Sequence, residues 1–460
     1  MNRKFQVQFM AAGMLLLILL VAVIFYKGMK RSDQQTMQTE GAQTEDSAGD
    51  TEASKAEEIP ETQKADRQDE ALHVVVPGSN PEIRVQICSG GYESGFHSKI
   101  TLTCTSSYTV SYGDTREEHT AQEPVWLTPE DPWLSEGEVT LTPADEKGQF
   151  VIQDLVRDQA NPTYSGYFRI RNTEQGLLVI NCLPMETYLC SVVPSEMPSS
   201  YPLEALKAQA VCARTYALKQ IQAAKEEGRE MDVDDSVSFQ VYNNIGRNEK
   251  TDEAVAETAG KVMMQGDELV DALYYSTSCG IDLTQDLSEE AVFCAFMTGG
   301  QKAYEKEEPW YRWSTYYSAE ELTRLAQNNF GEEVGNVQGL TVLQRSENGA
   351  IAQLQIEGEK GSTVVEGEYS IRKFLQTANA QVTLQDGSAA PNLGMLPSAF
   401  FYLTPEYEGE ALKGYTLTGG GYGHGNGMSQ NGAKHMAEDG KSCEDILNYY
   451  YGNVKLRFTS

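Results

Sequence analysis

The sequence predicts an α+β protein, with mixed short strands and a few helices, behind an N-terminal transmembrane helix and a disordered linker. Three observations carry this. No residue from Phe9 to Tyr26 is charged, and Met14 to Phe25 is almost all Leu, Ile, Val and Ala. Residues 32–70 hold twelve acids, three bases and almost no large apolar side chain. Beyond residue 73, short alternating runs give way to isolated helical patterns without regular βαβ alternation.

The apolar run approaches the roughly 20 residues that cross a bilayer. It is long for a cleaved signal, and no small-residue cleavage site precedes Lys27, so an uncleaved anchor is expected. Basic residues flank both sides and leave orientation open. A short N-terminus before a large domain favours a cytoplasmic stub and anchor over 1–31. The acidic stretch reads as a spacer over 32–72 that gives the domain reach. Residues 73–460 form the remaining domain, with a β-rich part over 73–180.

Within it, His73–Val76 and the alternating Glu82–Cys88 open a series of strands. Lys99–Cys104, Tyr108–Ser111, Gly148–Ile152, Tyr167–Arg171 and Leu177–Asn181 follow. The pattern then switches. Pro202–Ile221 carries Leu203, Leu206, Ala210, Ala213, Ala217 and Ile221 at helical spacing, with Pro202 suited to the first turn. Lys207 and Arg214 should share a similar face. Further helices are expected at Ser318–Asn328 and Ser442–Tyr451, and strands at Ala272–Ser276, Leu340–Arg345, Ala350–Ile356 and Tyr415–Thr418.

A net charge of −31, most of it on the folded part, excludes a non-specific nucleic-acid binder. Eight cysteines without a C-x-x-C pair, and five histidines without H-E-x-x-H, give poor metal-site spacing. Disulfides Cys88/Cys104, Cys182/Cys190 and Cys279/Cys294 are possible, among 105 full connectivities for eight Cys.

Two motifs point to chemistry. In Val193-Pro-Ser-Glu196-Met-Pro198 a carboxylate lies between two prolines, read as a stiff loop; apolar surroundings there would raise its pKa, as a general acid needs. In Gly419–Gln430 six glycines surround His424, which implies tight turns and close approach to a ligand, with the His in acid/base work or hydrogen bonding. Two weaker stretches accompany them. Tyr274–Gly280 is rich in hydroxyls but has no nucleophile elbow. Asp234–Tyr242 offers Gln240 and Tyr242 to sugar hydroxyls.

Taken together, these blocks resemble the SpoIID/LytB family, from stage II sporulation protein D and an amidase enhancer. The resemblance runs through Asn181-Cys-Leu-Pro-Met-Glu, Val193-Pro-Ser-Glu-Met-Pro, Leu203-Glu-Ala-Leu-Lys-Ala-Gln-Ala-Val, Ala213-Arg-Thr-Tyr-Ala and Gln240-Val-Tyr. It continues through Ser276-Thr, Ile371-Arg-Lys-Phe-Leu, Gly423-His-Gly-Asn-Gly-Met-Ser-Gln and Ile446-Leu-Asn-Tyr-Tyr-Tyr-Gly. It implies a membrane-anchored lytic transglycosylase acting on peptide-free peptidoglycan strands in sporulation, or alternatively a non-catalytic peptidoglycan-binding amidase enhancer. The family's catalytic Glu falls on Glu196. Ser195, Arg214, Tyr216, Gln240, Tyr242, Ser276, His424 and Gln430 become candidate substrate-binding residues. Implied partners are glycan strands, a cell-wall amidase and other membrane-anchored sporulation proteins, with no nucleic acid. The implied location is the cell membrane, the domain outside. Some relatives bind zinc through His and Cys near the Ser276 segment. Here Tyr275 takes the His position, Cys279 replaces the first Gly, and Ile281-Asp-Leu is inserted, so no cofactor and no metal are expected.

Overall fold

The computed structural model describes residues 79–459 apart from 158–159, 245, 281–287, 299–302 and 378–379. The expected anchor, the linker, the first strand at His73–Val76 and the Ile281–Leu283 insertion lie outside the described residues. Among the described residues the chain is a mixed α and β protein with six sheets and eight α-helices. None of those helices is long and apolar enough to cross a membrane.

The largest sheet has seven strands. Its order is Val233–Asp234, Glu82–Gln86, Gly176–Pro184, Tyr167–Thr173, Glu138–Pro143, Tyr108–Tyr112 and Thr115–His119. Neighbours pair antiparallel except Val85 with Val233, which are parallel. Alternation decides the register. Ile83 and Val85 point inward while Glu82, Arg84 and Gln86 stay partly exposed. The central strand Gly176–Pro184 is buried on both faces, so it reads as a continuous apolar run.

That strand passes directly into the helix Met185–Glu196. Pro184, extended at φ −60°, caps the start, and Glu186 lies in the first turn where the helix dipole favours an anion. This corrects the stiff loop expected around Glu196. The helix continues through Glu196 with Pro194 inside its last turn, where few backbone bonds remain to be broken. Met197 then turns extended, its N–H bonding back to Val193 O at 3.0 Å.

The long helix Leu203–Glu227 forms as expected, although Pro202 serves as its N-cap rather than in the first turn. It ends at Gly228, whose φ of 68° is the left-handed conformation that terminates many helices. From Ala205 to Thr215 every residue except Lys207 is buried. Small Ala side chains let Met185–Glu196, Glu249–Glu257, Gln430–Glu438 and Cys443–Tyr451 pack closely around it. One core therefore joins the β-rich part, these helices and the C-terminal Ile446 and Leu447.

A second core occupies Trp313–Leu417. It lies between the helices Ala319–Phe330 and Glu368–Phe374 and the strands Val337–Arg345, Ile351–Gly358, Phe401–Glu408 and Ala411–Gly419. The chain leaves the first core after the strand Tyr274–Tyr275 and returns at Met428–Ser429. These two short strands pair in parallel, Tyr274 opposite Met428 and Tyr275 opposite Ser429.

Cys88, Cys104, Cys182 and Cys190 are thiols, so the possible pairs Cys88/Cys104 and Cys182/Cys190 are not formed. For the second pair the reason is packing. Cys182 belongs to a small cluster with Leu178 and Ile180, whereas Cys190 lies in the main core.

Candidate active site

Glu196 ends its helix at a meeting point of three distant segments. The backbone N–H of Val241 donates to its Oε1 at 2.6 Å, and the Tyr274 hydroxyl also hydrogen-bonds the carboxylate. The Gln430 side chain donates to the Glu196 carbonyl at 3.0 Å. No ion pair to Glu196 occurs among the described residues. Burial pushes its pKa up to about 7, against the two hydrogen bonds that favour the anion. The negative end of the helix dipole acts in the same direction as burial. The group is thus poised to hold a proton near neutral pH and to release it.

A directed chain of hydrogen bonds stands behind it. Tyr188 Oη donates to Gln240 Oε1 at 3.2 Å, and Gln240 Nε2 donates to Tyr274 Oη at 3.1 Å. This leaves the Tyr274 proton for Glu196. Tyr188 packs its ring on Tyr242 at 4.9 Å, and Tyr242 Oη donates to Asn181 Oδ1 at 2.9 Å. Gln240 and Tyr242 are buried and act as supports rather than as an exposed sugar-binding face.

The other candidates separate by location. Ser195 donates to Ser191 O at 2.6 Å and accepts from the Asn243 N–H at 3.2 Å, so it ties the helix end to the Val241 segment. Tyr216 is partly exposed on the long helix, and Ser276 lies beside Thr277 with 3.1 Å between hydroxyls. Arg214 does not join the site. It is fully buried and grips Glu186 with two bonds of 2.7 Å each. The face it was expected to share with Lys207 is covered at one end only. Lys207 stays partly exposed between Glu204 and Glu257.

His424 has both ring nitrogens occupied by backbone. Nε2 lies 3.0 Å from Tyr274 O and Nδ1 accepts from the Asn426 N–H at 3.1 Å, which fixes the proton on Nε2. Burial lowers its pKa and keeps it neutral. Of its two expected roles, the geometry supports hydrogen bonding that positions Tyr274. The glycines around it are required by crowding. A Cβ at Gly427, whose φ is +76°, would lie 1.9 Å from Leu273 O. At Gly419 it would lie 2.3 Å from the ring of Trp313, whose indole holds Gly421 O at 3.1 Å. Tyr275, at the position expected to lack a metal-binding His, instead packs on His424 with ring centroids 5.6 Å apart.

Sequence reasoning did not select Tyr274, Tyr188 or the Val241 N–H. Tyr274 stood inside a flagged stretch, and its partners are 34 residues away at the least. Only the clustering of Tyr with Gln and Glu across blocks could have hinted at it.

Residues 173–265 match the family described as Stage II sporulation protein, and residues 267–427 match a domain of unknown function, DUF8618. The second match contains the second core. Stage II sporulation protein D of Bacillus subtilis (strain 168) is 26% identical over 312 residues, covering 65% of this chain and 80% of the relative. The protein of the same name from Bacillus amyloliquefaciens is 29% identical over 290 residues, covering 60% and 74%. The amidase enhancer of Bacillus subtilis (strain 168) is 28% identical over 293 residues, covering 58% of this chain but only 40% of the enhancer.

Proposed function

Taking as premise that this chain carries a SpoIID-family domain, we propose that it is a membrane-anchored peptidoglycan lytic transglycosylase with a role in sporulation. The observation that supports this most is Glu196, a half-buried carboxyl group with no cationic partner among the described residues, its pKa lifted to about 7 beside two directed hydrogen-bond donors. Protonated, it donates to the oxygen between N-acetylmuramic acid and N-acetylglucosamine as that bond to C1 breaks. The carboxylate so formed takes the proton of the C6 hydroxyl, whose oxygen bonds C1 and leaves a 1,6-anhydro end. One carboxyl group serves both steps, and its starting state is restored. No water is consumed, so a second carboxylate at glycosidase spacing is not needed. Val241 N–H and Tyr274 hold the anion in place between the steps.

The apolar run Phe9–Tyr26 would anchor the chain, with the domain outside the membrane. The name of the amidase enhancer supports a second reading, a binding module that stimulates an amidase. Mass spectrometry of peptide-free glycan strands incubated with the full chain separates the two. Anhydro-muramoyl products are expected. Binding without products, together with stimulation of an amidase, overturns the enzyme reading in favour of the module.

A further inference from the structure

Tyr92 has a backbone that a tyrosine rarely adopts. Its φ is 59°, and it follows Gly91 at 69°, so two consecutive residues are left-handed. For a bulky non-Gly residue this conformation is strained by about 1–3 kcal/mol. The strain brings no burial in return, because Tyr92 is 37% exposed. The loop around it is nonetheless held firmly. Gln86 Nε2 donates to Gly95 O at 2.7 Å, the Tyr92 N–H to Ser89 O at 3.1 Å, and His97 bridges to Leu177.

The ring itself is fixed from two directions. The Arg157 guanidinium lies 4.2 Å from its centroid and covers one face. That guanidinium cannot drift. It is buried, bonded to Cys88 O at 2.7 Å, and paired with the buried Asp235 at 2.9 Å. At the other end, Tyr92 Oη donates to Asn243 Oδ1 at 2.9 Å. Asn243 is anchored through its N–H to Ser195 Oγ, the neighbour of Glu196. It follows Val241, whose N–H holds the Glu196 carboxyl, by two residues, so at most about 7 Å of chain separates the two grips. The Asn243 Nδ2 amide has no protein partner among the described residues and is not sealed from solvent.

From this we propose that Tyr92 and Asn243 form a pyranose-binding subsite beside Glu196, the ring stacking on a sugar's C–H face while the Asn243 amide donates to a hydroxyl or N-acetyl oxygen. An immobilised aromatic face beside an unpaired amide donor matches a ligand that is apolar on its faces and polar at its rim. The subsite rests on the glycan-strand reading above and extends it to a part of the chain outside the family match, which begins at residue 173.

The test is binding of purified peptide-free glycan strands to the full chain by calorimetry. Tyr92→Ala should weaken binding about two- to twelve-fold, the range of one aromatic contact. Tyr92→Phe keeps the ring and should retain most of the affinity. Tyr92→Leu fills the space over Arg157 without an aromatic face and should bind as weakly as the Ala variant. This variant decides the matter if Ala unfolds the loop. Leu binding as well as Tyr overturns the subsite and leaves the glycan reading standing. Wild type that binds no strands overturns both.

Discussion

Glu186 and Glu196 stand in the first and last turns of one twelve-residue helix, and both are withdrawn from bulk water. Their surroundings are opposite. Glu186 faces the Arg214 guanidinium through two short bonds, accepts a third from the Gly260 N–H at 3.2 Å, and lies at the positive end of the helix dipole. Glu196 receives one backbone N–H and one hydroxyl, forms no ion pair among the described residues, and lies at the negative end. The first arrangement locks the carboxylate into a buried ion pair. The second keeps a proton exchangeable. One helix thus carries an ion-paired carboxylate and one with a raised pKa, and the difference arises from what the rest of the chain brings to each end.

The largest effect should come from removing the exchangeable proton. Glu196→Gln keeps the shape but cannot donate and recover a proton, so turnover should fall about a hundred- to ten-thousand-fold or more. Stability should not fall with it. The folded carboxyl holds its proton up to about 7, against an ordinary value of 4.5, so the native state binds more protons than the unfolded chain between those values. Wild-type stability from this group is then greatest below 4.5 and declines as pH rises to about 7. The Gln variant lacks this decline, so its Tm relative to wild type should climb over that window. A constant Tm difference from pH 4.5 to 8 would contradict the raised pKa.

The opposite end should break differently. Arg214→Ala leaves Glu186 buried and unpaired, which should destabilise the fold by about 3–5 kcal/mol. The activity of the fraction that remains folded should be preserved. Denaturant titration alongside activity per folded molecule tests this, and loss of turnover at full stability would return Arg214 to the site.

Tyr274→Phe sharpens the comparison. It removes a hydrogen bond that favours the Glu196 anion and leaves Gln240 Nε2 one partner short. The basic limb of the pH–rate profile should move upward, and stability should fall by roughly 1–3 kcal/mol. His424→Ala should act more weakly through the same residue, reducing turnover without moving either limb, because the imidazole is committed to Tyr274 O and Asn426 N–H. Treatment with a chelator should change neither rate nor Tm, since Tyr275 packs on His424 where relatives are expected to place a metal ligand.

The sequence made the long Ala-rich helix and the strands from Glu82 to Asn181 that alternate most clearly legible, because periodicity is a local signal, while strands such as Glu138–Pro143, Trp313–Ser318 and Phe401–Glu408 went unread. It misled where burial depends on partners. Arg214 looked like an available cation seven residues from Lys207, but its fate was set by Glu186, 28 residues earlier. Pro194 looked like a loop marker, yet in a last turn proline removes little. The helix Gln430–Glu438 was hidden by the glycines before it, and its Ser429 cap, which accepts from Gly432 N–H, becomes visible only once the turn is placed. Tyr274, Val241 and Gln430 reach Glu196 from 45 to 234 residues away or along another strand, which no window of sequence can register.

The parallel pairing of Tyr274–Tyr275 with Met428–Ser429 has a consequence for synthesis. The ribosome completes Glu196 long before it completes Gln430, and the two short strands can pair only once Met428–Ser429 has been made. Closing so long an excursion is slow relative to local helix formation. A chain interrupted before residue 424 therefore lacks the Gln430 contact and the His424 brace on Tyr274. The full set of contacts around Glu196 is therefore withheld until the last tenth of the polypeptide has arrived.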